Sequence, residues 1–279
     1  MTLHDSPLDS PTRCAAIYSL RPPDIEGSIN VKEARFLHGL LVSRAPGRVA
    51  EIGTCSGLST AVMADALLVL NGADGGSRRV FSYDLMERLY FDASRVVGFF
   101  LGLMPQPVQD LVTLRTGCTA LNVGEDFTAG SLEFLMIDAN HAHPWPCLDL
   151  LACLPLLADD ATVCLHDINL PLIHPSHAVH GAKLAFDALS LEKEFCEPTG
   201  GVRNMGAVRL AGRRDAVRAE LLACIREHDW ETRVDKKWLE SASFLDALRD
   251  SWTAAERRLK TGLLQKILSR ATRLFGKGR

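Results

Sequence analysis

The stretch Val49–Thr60 reads VAEIGTCSGLST and is the most informative part of the chain. Its apolar beginning predicts a short buried strand that ends at Ile52, and a helix is expected over Leu58–Leu70. Gly53 and Gly57 turn the chain between these two elements. Glycines let a ligand approach the backbone closely, and the start of a helix offers unpaired N–H donors. The stretch therefore predicts a strand–loop–helix site for a nucleotide-like ligand.

The glycine spacing separates this loop from two commoner nucleotide-binding loops. A dinucleotide fingerprint would need glycine where Cys55 stands, and a phosphate-binding loop would need Lys-Ser or Lys-Thr in place of Leu58-Ser59. The pattern E-x-G-x-x-x-G-x-S instead resembles the first motif of the class I S-adenosylmethionine-dependent methyltransferases, whose ligand carries no phosphate. The resemblance implies that the S-adenosylmethionine site includes Glu51, Gly53, Ser56, Gly57 and Ser59.

Strands and helices alternate along the chain. Short apolar runs predict strands at Arg48–Ile52, Arg79–Asp84, Val112–Thr116, Glu133–Ile137 and Thr162–His166. Helical spacing predicts helices at Asn30–Ser43, Leu58–Leu70, Glu87–Gly102, Thr119–Phe127, Pro146–Leu157 and Ala182–Leu191. This alternation is typical of a doubly wound, mostly parallel α/β sheet. With antiparallel strands expected at Phe195 and Ala207–Leu210, the resemblance implies a seven-stranded, Rossmann-like methyltransferase fold.

Polar residues follow the second and third predicted strands, at the edge where sheets of this kind bind ligands. Asp84 ends the second strand, and a carboxylate there can accept hydrogen bonds from both hydroxyls of an adenosine ribose. The alternative is that Asp84 caps the helix predicted over Glu87–Gly102. Gly117 and Cys118 follow the third strand, where methyltransferases of this class usually place a small or polar pair near the adenine.

The fourth and fifth strands end in residues suited to acid–base or metal chemistry, in the sequences IDANH (137–141) and LHDI (165–168). Together they resemble the I-D-x-x-H and H-D motifs of a family of bacterial small-molecule and sugar O-methyltransferases. The resemblance covers roughly Gly27 to Val208. It implies methyl transfer from S-adenosylmethionine to a hydroxyl of a small molecule or sugar, with His141 as the base that removes the hydroxyl proton.

The same two strand ends form a candidate metal site. In metal-dependent relatives an Asp after the fourth strand and a pair after the fifth hold a divalent ion, which implies Asp138, His166 and Asp167 here. Carboxylates suit magnesium, whereas a histidine ligand favours manganese or another transition metal. Two alternatives stay open. Asp138 and Asp167 hold loops through backbone N–H groups without an ion, or the base is His143 and not His141.

Composition and charge narrow the class of protein. The chain has 279 residues, of which 47% are apolar, and a net charge of −3. Residues 257–279 contain eight Lys/Arg and no Asp/Glu, which leaves 23 basic against 34 acidic residues in the rest of the chain. An acidic body argues against a nucleic-acid enzyme. Eight scattered cysteines without a C-x-x-C pair predict reduced, buried thiols, and not disulfides or zinc, in a cytoplasmic protein.

Three segments are predicted: an N-terminal arm or lid over residues 1–27, a methyltransferase domain over 28–211, and a helical tail over 212–279. Tail helices are expected at Arg214–Glu227, Lys236–Arg249 and Thr253–Phe275. The last is basic and amphipathic, so it either lies on the inner face of an anionic membrane or serves as a docking or dimerisation helix. Two other functions remain as alternatives, a metal-independent methyltransferase and a non-catalytic cofactor-binding or assembly protein.

Overall fold

One seven-stranded sheet organises the protein, whose structure is a computed structural model that describes residues 10–25, 28–234 and Trp238. The strands are β1 Arg48–Ile52, β2 Arg79–Asp84, β3 Val112–Thr116, β4 Leu132–Ile137, β5 Leu157–His166, β6 Lys193–Phe195 and β7 Met205–Arg209. Their order is β3-β2-β1-β4-β5-β7-β6. Strands β1 to β5 are parallel, and β7 is antiparallel to β5 and β6. The predicted fold class is confirmed.

Helices cover both faces of this sheet. They are α1 Ser10–Ser19, α2 Val31–Arg44, α3 Leu58–Asp74, α4 Gln106–Gln109, α5 Trp145–Cys153, α6 Leu170–Ile173, α7 Gly181–Ala188 and α8 Arg214–Glu227. Neighbouring residues of β1 point to opposite faces, so Val49 joins the core with α2 and α3, whereas Ala50 joins the core with α5 and α8. Burial on both faces explains why the central strands are continuously apolar in sequence.

The prediction of a helix over Glu87–Gly102 is wrong. The segment is an irregular loop in which Asp92 Oδ1 accepts a hydrogen bond from the Ser94 backbone N–H, and only Phe99–Leu103 forms a 3₁₀ helix. Gly98, at φ 74°, precedes that short helix in a left-handed conformation that a continuous α-helix does not allow. The hydrogen bond from Ser94 to Asp92 and the left-handed Gly98 therefore prevent the helix that the apolar spacing predicted.

Smaller differences concern element boundaries. The helix predicted over Thr119–Phe127 is a 3₁₀ helix at Ala120–Glu125. Strand β5 begins at Leu157 and not at Thr162, so the helix predicted to reach Leu157 ends earlier, at Cys153, and a 3₁₀ turn follows it. The predicted helix Arg214–Glu227 is confirmed as α8, whereas those predicted at residues 236–249 and 253–275 lie outside the described residues.

A buried ion pair fixes the described part of the predicted N-terminal arm. The Arg13 guanidinium of α1 donates two hydrogen bonds of 2.7 Å to the Asp65 carboxylate of α3. His38 of α2 places its Nε2 3.2 Å from the same carboxylate. The first helix of the arm is therefore held beside the helix that follows the glycine loop. Within the described part of the chain, no helix combines the length and the hydropathy needed to cross a membrane.

Candidate active site

The carboxyl ends of β1 and β4 meet at the point where the strand order reverses, which is where ligands bind in sheets of this kind. The Asp138 N–H donates to the Ile52 carbonyl at 2.8 Å, so the two loops run against each other. A Cβ atom on Gly53 would lie 2.2 Å from the Asp138 carbonyl oxygen. Gly53 also has φ 97°, in the region that favours glycine. This residue therefore lets both loops share one edge of the sheet.

The rest of the glycine loop is folded tightly against the segment at 98–100. Cys55 has φ 46°, and Gly57, with φ 89°, begins α3 without a side-chain cap. The backbone N–H groups of Gly98 and Phe100 donate to the carbonyls of Cys55 and Ser56. Ser56 itself is buried, with its Oγ 3.2 Å from the Ser28 hydroxyl. The loop is thus preformed, since its carbonyl groups are already bonded to protein donors.

Glu51 lies beneath this loop, with no exposed surface. Its carboxylate accepts hydrogen bonds from the hydroxyls of Ser59, Thr60 and Ser82. Burial raises the pKa of Glu51 to about 7, against the opposing effect of these three donors. The carboxylate therefore ties β1, β2 and the start of α3 together. Direct contact of Glu51 or Ser59 with a cofactor stays a prediction.

Asp84 lies beside the glycine loop. One carboxylate oxygen accepts from the Cys55 N–H and the other from the Met86 N–H, both at 2.8 Å. No helix directly follows Asp84 in this described part of the chain. The alternative that Asp84 caps a helix over Glu87–Gly102 is therefore wrong. A carboxylate has about four acceptor positions, and two therefore remain for ribose hydroxyls. Cys118 lies beside Asp84, because its backbone N–H donates to the Asp84 carbonyl at 3.0 Å. The neighbouring Gly117, at φ 69°, has open space around its Cα.

On the other side of Gly53, the ends of β4 and β5 bring three ligand-type side chains together. The Nε2 atom of His141 lies 3.0 Å from Asp167 Oδ2 and 3.9 Å from Asp138 Oδ1. Each of the three residues offers one ligand atom, and these atoms lie within 4.8 Å of one another. The side chains of His141, Asp138 and Asp167 are 25%, 13% and 13% exposed, so the group is open to solvent on one side.

His166 is placed behind this group, between carboxylates. Its Nδ1 lies 2.9 Å from Asp138 Oδ1, and its Nε2 lies 3.3 Å from Glu33 Oε2. Burial alone would lower the pKa of His166, but Asp138 and Asp167 outweigh it and raise this pKa well above its usual value. Both ring nitrogens therefore donate to carboxylates. His166 therefore has no free nitrogen for the predicted role of metal ligand, and Asp138 and Asp167 remain as candidate ligands beside His141.

Asp167 itself is held in an unusual conformation. Its φ is 56°, and the Asn204 side-chain N–H donates to its Oδ1 at 2.5 Å. Burial would raise the pKa of Asp167, but His166, His141 and Asn204 together lower it below its usual value. Left-handed non-glycine residues concentrate at functional sites, because the surroundings must hold them in place. Asp167 is thus an ionised carboxylate in a fixed position.

The comparison with protein families identifies the class of protein to which this fold belongs. Residues 50–168, from β1 to just beyond β5, match the family model described as a methyltransferase domain. The chain contains a methyltransferase domain. This match and the sheet order confirm the class I, S-adenosylmethionine-dependent methyltransferase predicted from the glycine loop. No curated protein matches the sequence.

Solved methyltransferase structures resemble this methyltransferase at low sequence identity. The O-methyltransferase TomG from Streptomyces achromogenes, which is involved in tomaymycin synthesis and was solved with S-adenosylmethionine, is 19% identical. That match has a TM-score of 0.47 and covers 73% of this chain and 91% of that one. An O-methyltransferase from Bacillus cereus in complex with S-adenosylhomocysteine is 15% identical, with a TM-score of 0.46 and coverage of 74% and 93%.

His143, the alternative base, lies away from the active-site group of the methyltransferase. It has no exposed surface and belongs to a different cluster with Cys147 and Cys224. Burial, and then the neighbouring His228, lower the pKa of His143 to about 4. A side chain without solvent access cannot reach an acceptor hydroxyl, so the structure contradicts this alternative.

Two residues of the site were missed in the sequence analysis. Glu33 of α2 is 3% exposed and faces His166, although its spacing from Asn30 indicated only a helix start. Asn204 is 4% exposed and holds Asp167 from the turn between β6 and β7. No sequence signal linked Glu33 or Asn204 to this site, because each reaches it from an element distant in sequence.

Proposed function

We propose that this methyltransferase transfers the methyl group of S-adenosylmethionine to a hydroxyl oxygen of a small molecule or sugar, with His141 as the general base. The observation that carries the proposal is the 3.0 Å pair between His141 Nε2 and Asp167 Oδ2, at the same sheet edge as the glycine loop. An ionised carboxylate that accepts from Nε2 leaves Nδ1 as the basic nitrogen of a neutral imidazole.

The reaction then needs only one proton transfer and one displacement. The acceptor O–H gives its proton to His141 Nδ1 while the oxygen attacks the methyl carbon. The new C–O bond forms as the C–S bond breaks, and the bonding electrons of the C–S bond leave with sulfur in S-adenosylhomocysteine. Asp167 stabilises the imidazolium that results. Because the displacement is in line, holding both reactants at the junction of β1 and β4 supplies much of the rate.

A surface groove beside the site supports a small acceptor. It has a volume of about 400 Å³, and Asn169, Leu172, Phe195 and Arg203 are among the residues that line it. The Asn169 N–H donates to the Asn204 side chain, which in turn holds Asp167, so the groove and the site share this connection. Phe195 is 40% exposed, and the Arg203 guanidinium lies over its ring at 5.7 Å from the ring centroid, so the groove presents a cation beside an aromatic ring.

A divalent ion is the second part of the proposal. Asp138 and Asp167 fit such an ion, because their carboxylates converge in a partly exposed group that leaves room for water ligands. His141 would stay hydrogen-bonded to Asp167 as the base and would not bind the ion. An ion there would polarise the acceptor hydroxyl and lower its pKa. In the metal-independent alternative, the pair between His141 and Asp167 would act without an ion. The two versions differ in what a chelator does.

We expect activity to fall in EDTA and to return with magnesium or manganese. The enzyme is incubated with S-adenosylmethionine that carries a deuterated methyl group and a panel of phenols and glycosides, and mass spectrometry locates the label. Label on oxygen supports O-methyl transfer, whereas label on nitrogen or carbon contradicts it. Unchanged turnover after exhaustive chelation would remove the ion and leave the base mechanism in place.

A further inference from the structure

A second group of ligand-type side chains lies outside the active site, between the start of α5 and helix α8. It consists of His143, Cys147 and Cys224, whose ligand atoms lie within 4.8 Å of one another. Exposure is 0% for His143 and Cys147 and 3% for Cys224. The methyltransferase reaction uses none of the three, so their convergence in the core requires another explanation.

His143 is the member of this group that protein packing leaves unexplained. Among the described residues, neither of its ring nitrogens makes a hydrogen bond of good geometry, and only the Ile225 backbone acts on the ring as a weak partner. Leaving a buried polar group without a partner is unfavourable, and such groups are rare in folded proteins. The two thiols are different, because Cys147 donates to Cys224 and Cys224 donates to the Leu184 carbonyl. Thiol hydrogen bonds therefore account for the cysteines but not for the histidine.

The spacing of the two sulfur atoms fits a shared ion. Cys147 Sγ and Cys224 Sγ are 3.8 Å apart. A disulfide would need about 2.05 Å. A tetrahedral ion with metal–sulfur distances of about 2.3 Å holds two sulfur atoms about 3.8 Å apart. Two thiolates and one imidazole form a soft donor set, which selects zinc over magnesium or calcium.

We propose that His143, Cys147 and Cys224 bind one zinc ion. Both thiols lose their protons to solvent when the ion binds, and neutral His143 contributes a ring nitrogen. His228 lies next to this group, and its ring packs edge-on against His143 with ring centroids 6.0 Å apart. This site revises the expectation from the sequence that the cysteines are free thiols.

The zinc would fix the loop that carries the active-site residues. His143 follows Asp138 and His141 in the loop after β4, and the site joins this loop to α8. Glu231 also holds this loop, since it accepts from the His143 N–H at 2.7 Å and from the His180 N–H at 2.9 Å. The proposal does not rest on methyl transfer, because it concerns the metal content and stability of the folded chain.

The test measures zinc in the full-length protein after reconstitution with zinc under reducing conditions and dialysis. We expect about one ion per chain in the wild type, and a loss of most of it in Cys147→Ser and Cys224→Ser. Cys153→Ser is the matched control, because Cys153 lies on the same helix, is fully buried and does not belong to the group. Asp138→Asn should also keep the ion, which separates this site from the one at the sheet edge.

Cobalt provides a measurement that does not depend on the folding of the variants. The wild-type protein loaded with cobalt should show the intense near-ultraviolet absorption of thiolate-to-cobalt charge transfer. A wild-type protein that takes up neither zinc nor cobalt would overturn the proposal. So would a Cys147–Cys224 disulfide in freshly isolated protein, seen by mass spectrometry as the loss of two hydrogens, or equal zinc loss in Cys153→Ser.

Discussion

Replacement of His141 by alanine is expected to lower turnover by about 10²–10⁴-fold, the usual contribution of a general base. The imidazole is paired with Asp167 at 3.0 Å and is partly exposed, so it can receive a proton from a bound acceptor. The affinity for S-adenosylmethionine should barely change, because the side chain lies on the β4–β5 side of Gly53, away from Asp84. Turnover is measured with saturating cofactor and calorimetry gives the cofactor affinity.

The control for this variant is His177→Ala. His177 is an exposed histidine of the loop before α7 and has no part in the group with Asp138 and Asp167. It should keep wild-type turnover. Asp167→Asn should approach the loss seen for His141→Ala, since the amide cannot stabilise the imidazolium, and asparagine tolerates the left-handed backbone at this position. Wild-type turnover in His141→Ala would contradict the assignment of the base.

Replacement of Gly53 by alanine is expected to abolish cofactor binding and to lower the free energy of unfolding by about 3 kcal/mol or more. The added methyl group would lie 2.2 Å from the Asp138 carbonyl oxygen and 2.7 Å from the Ala139 nitrogen. Both atoms are backbone, so no side-chain rotation removes the overlap. The loops after β1 and β4 would have to separate, which disturbs the cofactor loop and the position of Asp138 together.

Gly75→Ala separates this steric effect from the cost of a positive φ. Gly75 has φ 71° at the end of α3, and no atom lies within 4 Å of an added Cβ. We expect it to lose only about 1–2 kcal/mol of stability, the cost of a left-handed conformation, and to bind cofactor normally. Urea unfolding and cofactor titration of both variants provide the comparison. Equal losses in the two variants would mean that the contact between the β1 and β4 loops does not matter.

The parallel strands at the start of the sheet could be predicted from the sequence to the residue. Arg48–Ile52, Arg79–Asp84 and Val112–Thr116 have the predicted limits, because charged or glycine-rich segments bound each apolar run. The segment after β2 could not be predicted in this way. Its apolar residues have helical spacing, but the bond from Asp92 to Ser94 and the left-handed Gly98 decide its shape. Local hydrogen bonds of this kind compete with helix formation without changing the hydrophobic pattern.

The active-site group was predictable where it follows the strands. Asp138, His141 and Asp167 come together because the carboxyl ends of adjacent parallel strands share one edge. Glu33 approaches from a helix and Asn204 from the turn before an antiparallel strand, both distant in sequence, so spacing alone did not identify them. The proposed zinc site could not be identified from spacing either, because 77 positions separate Cys147 from Cys224.

The central claim, a site for S-adenosylmethionine between the glycine loop and Asp84, is tested most directly by calorimetric titration of the wild type and Asp84→Ala. We expect S-adenosylmethionine and S-adenosylhomocysteine to bind the wild type and nicotinamide cofactors to show no binding. Asp84→Ala should weaken affinity about 10-fold or more, since each hydrogen bond to a charged group contributes about 1.5–3 kcal/mol. Asp110 lies just before β3, at the amino ends of the strands and away from the glycine loop. The control variant Asp110→Ala should therefore bind the cofactor as the wild type does. Unchanged affinity in Asp84→Ala, or binding of a nicotinamide cofactor, would contradict the account.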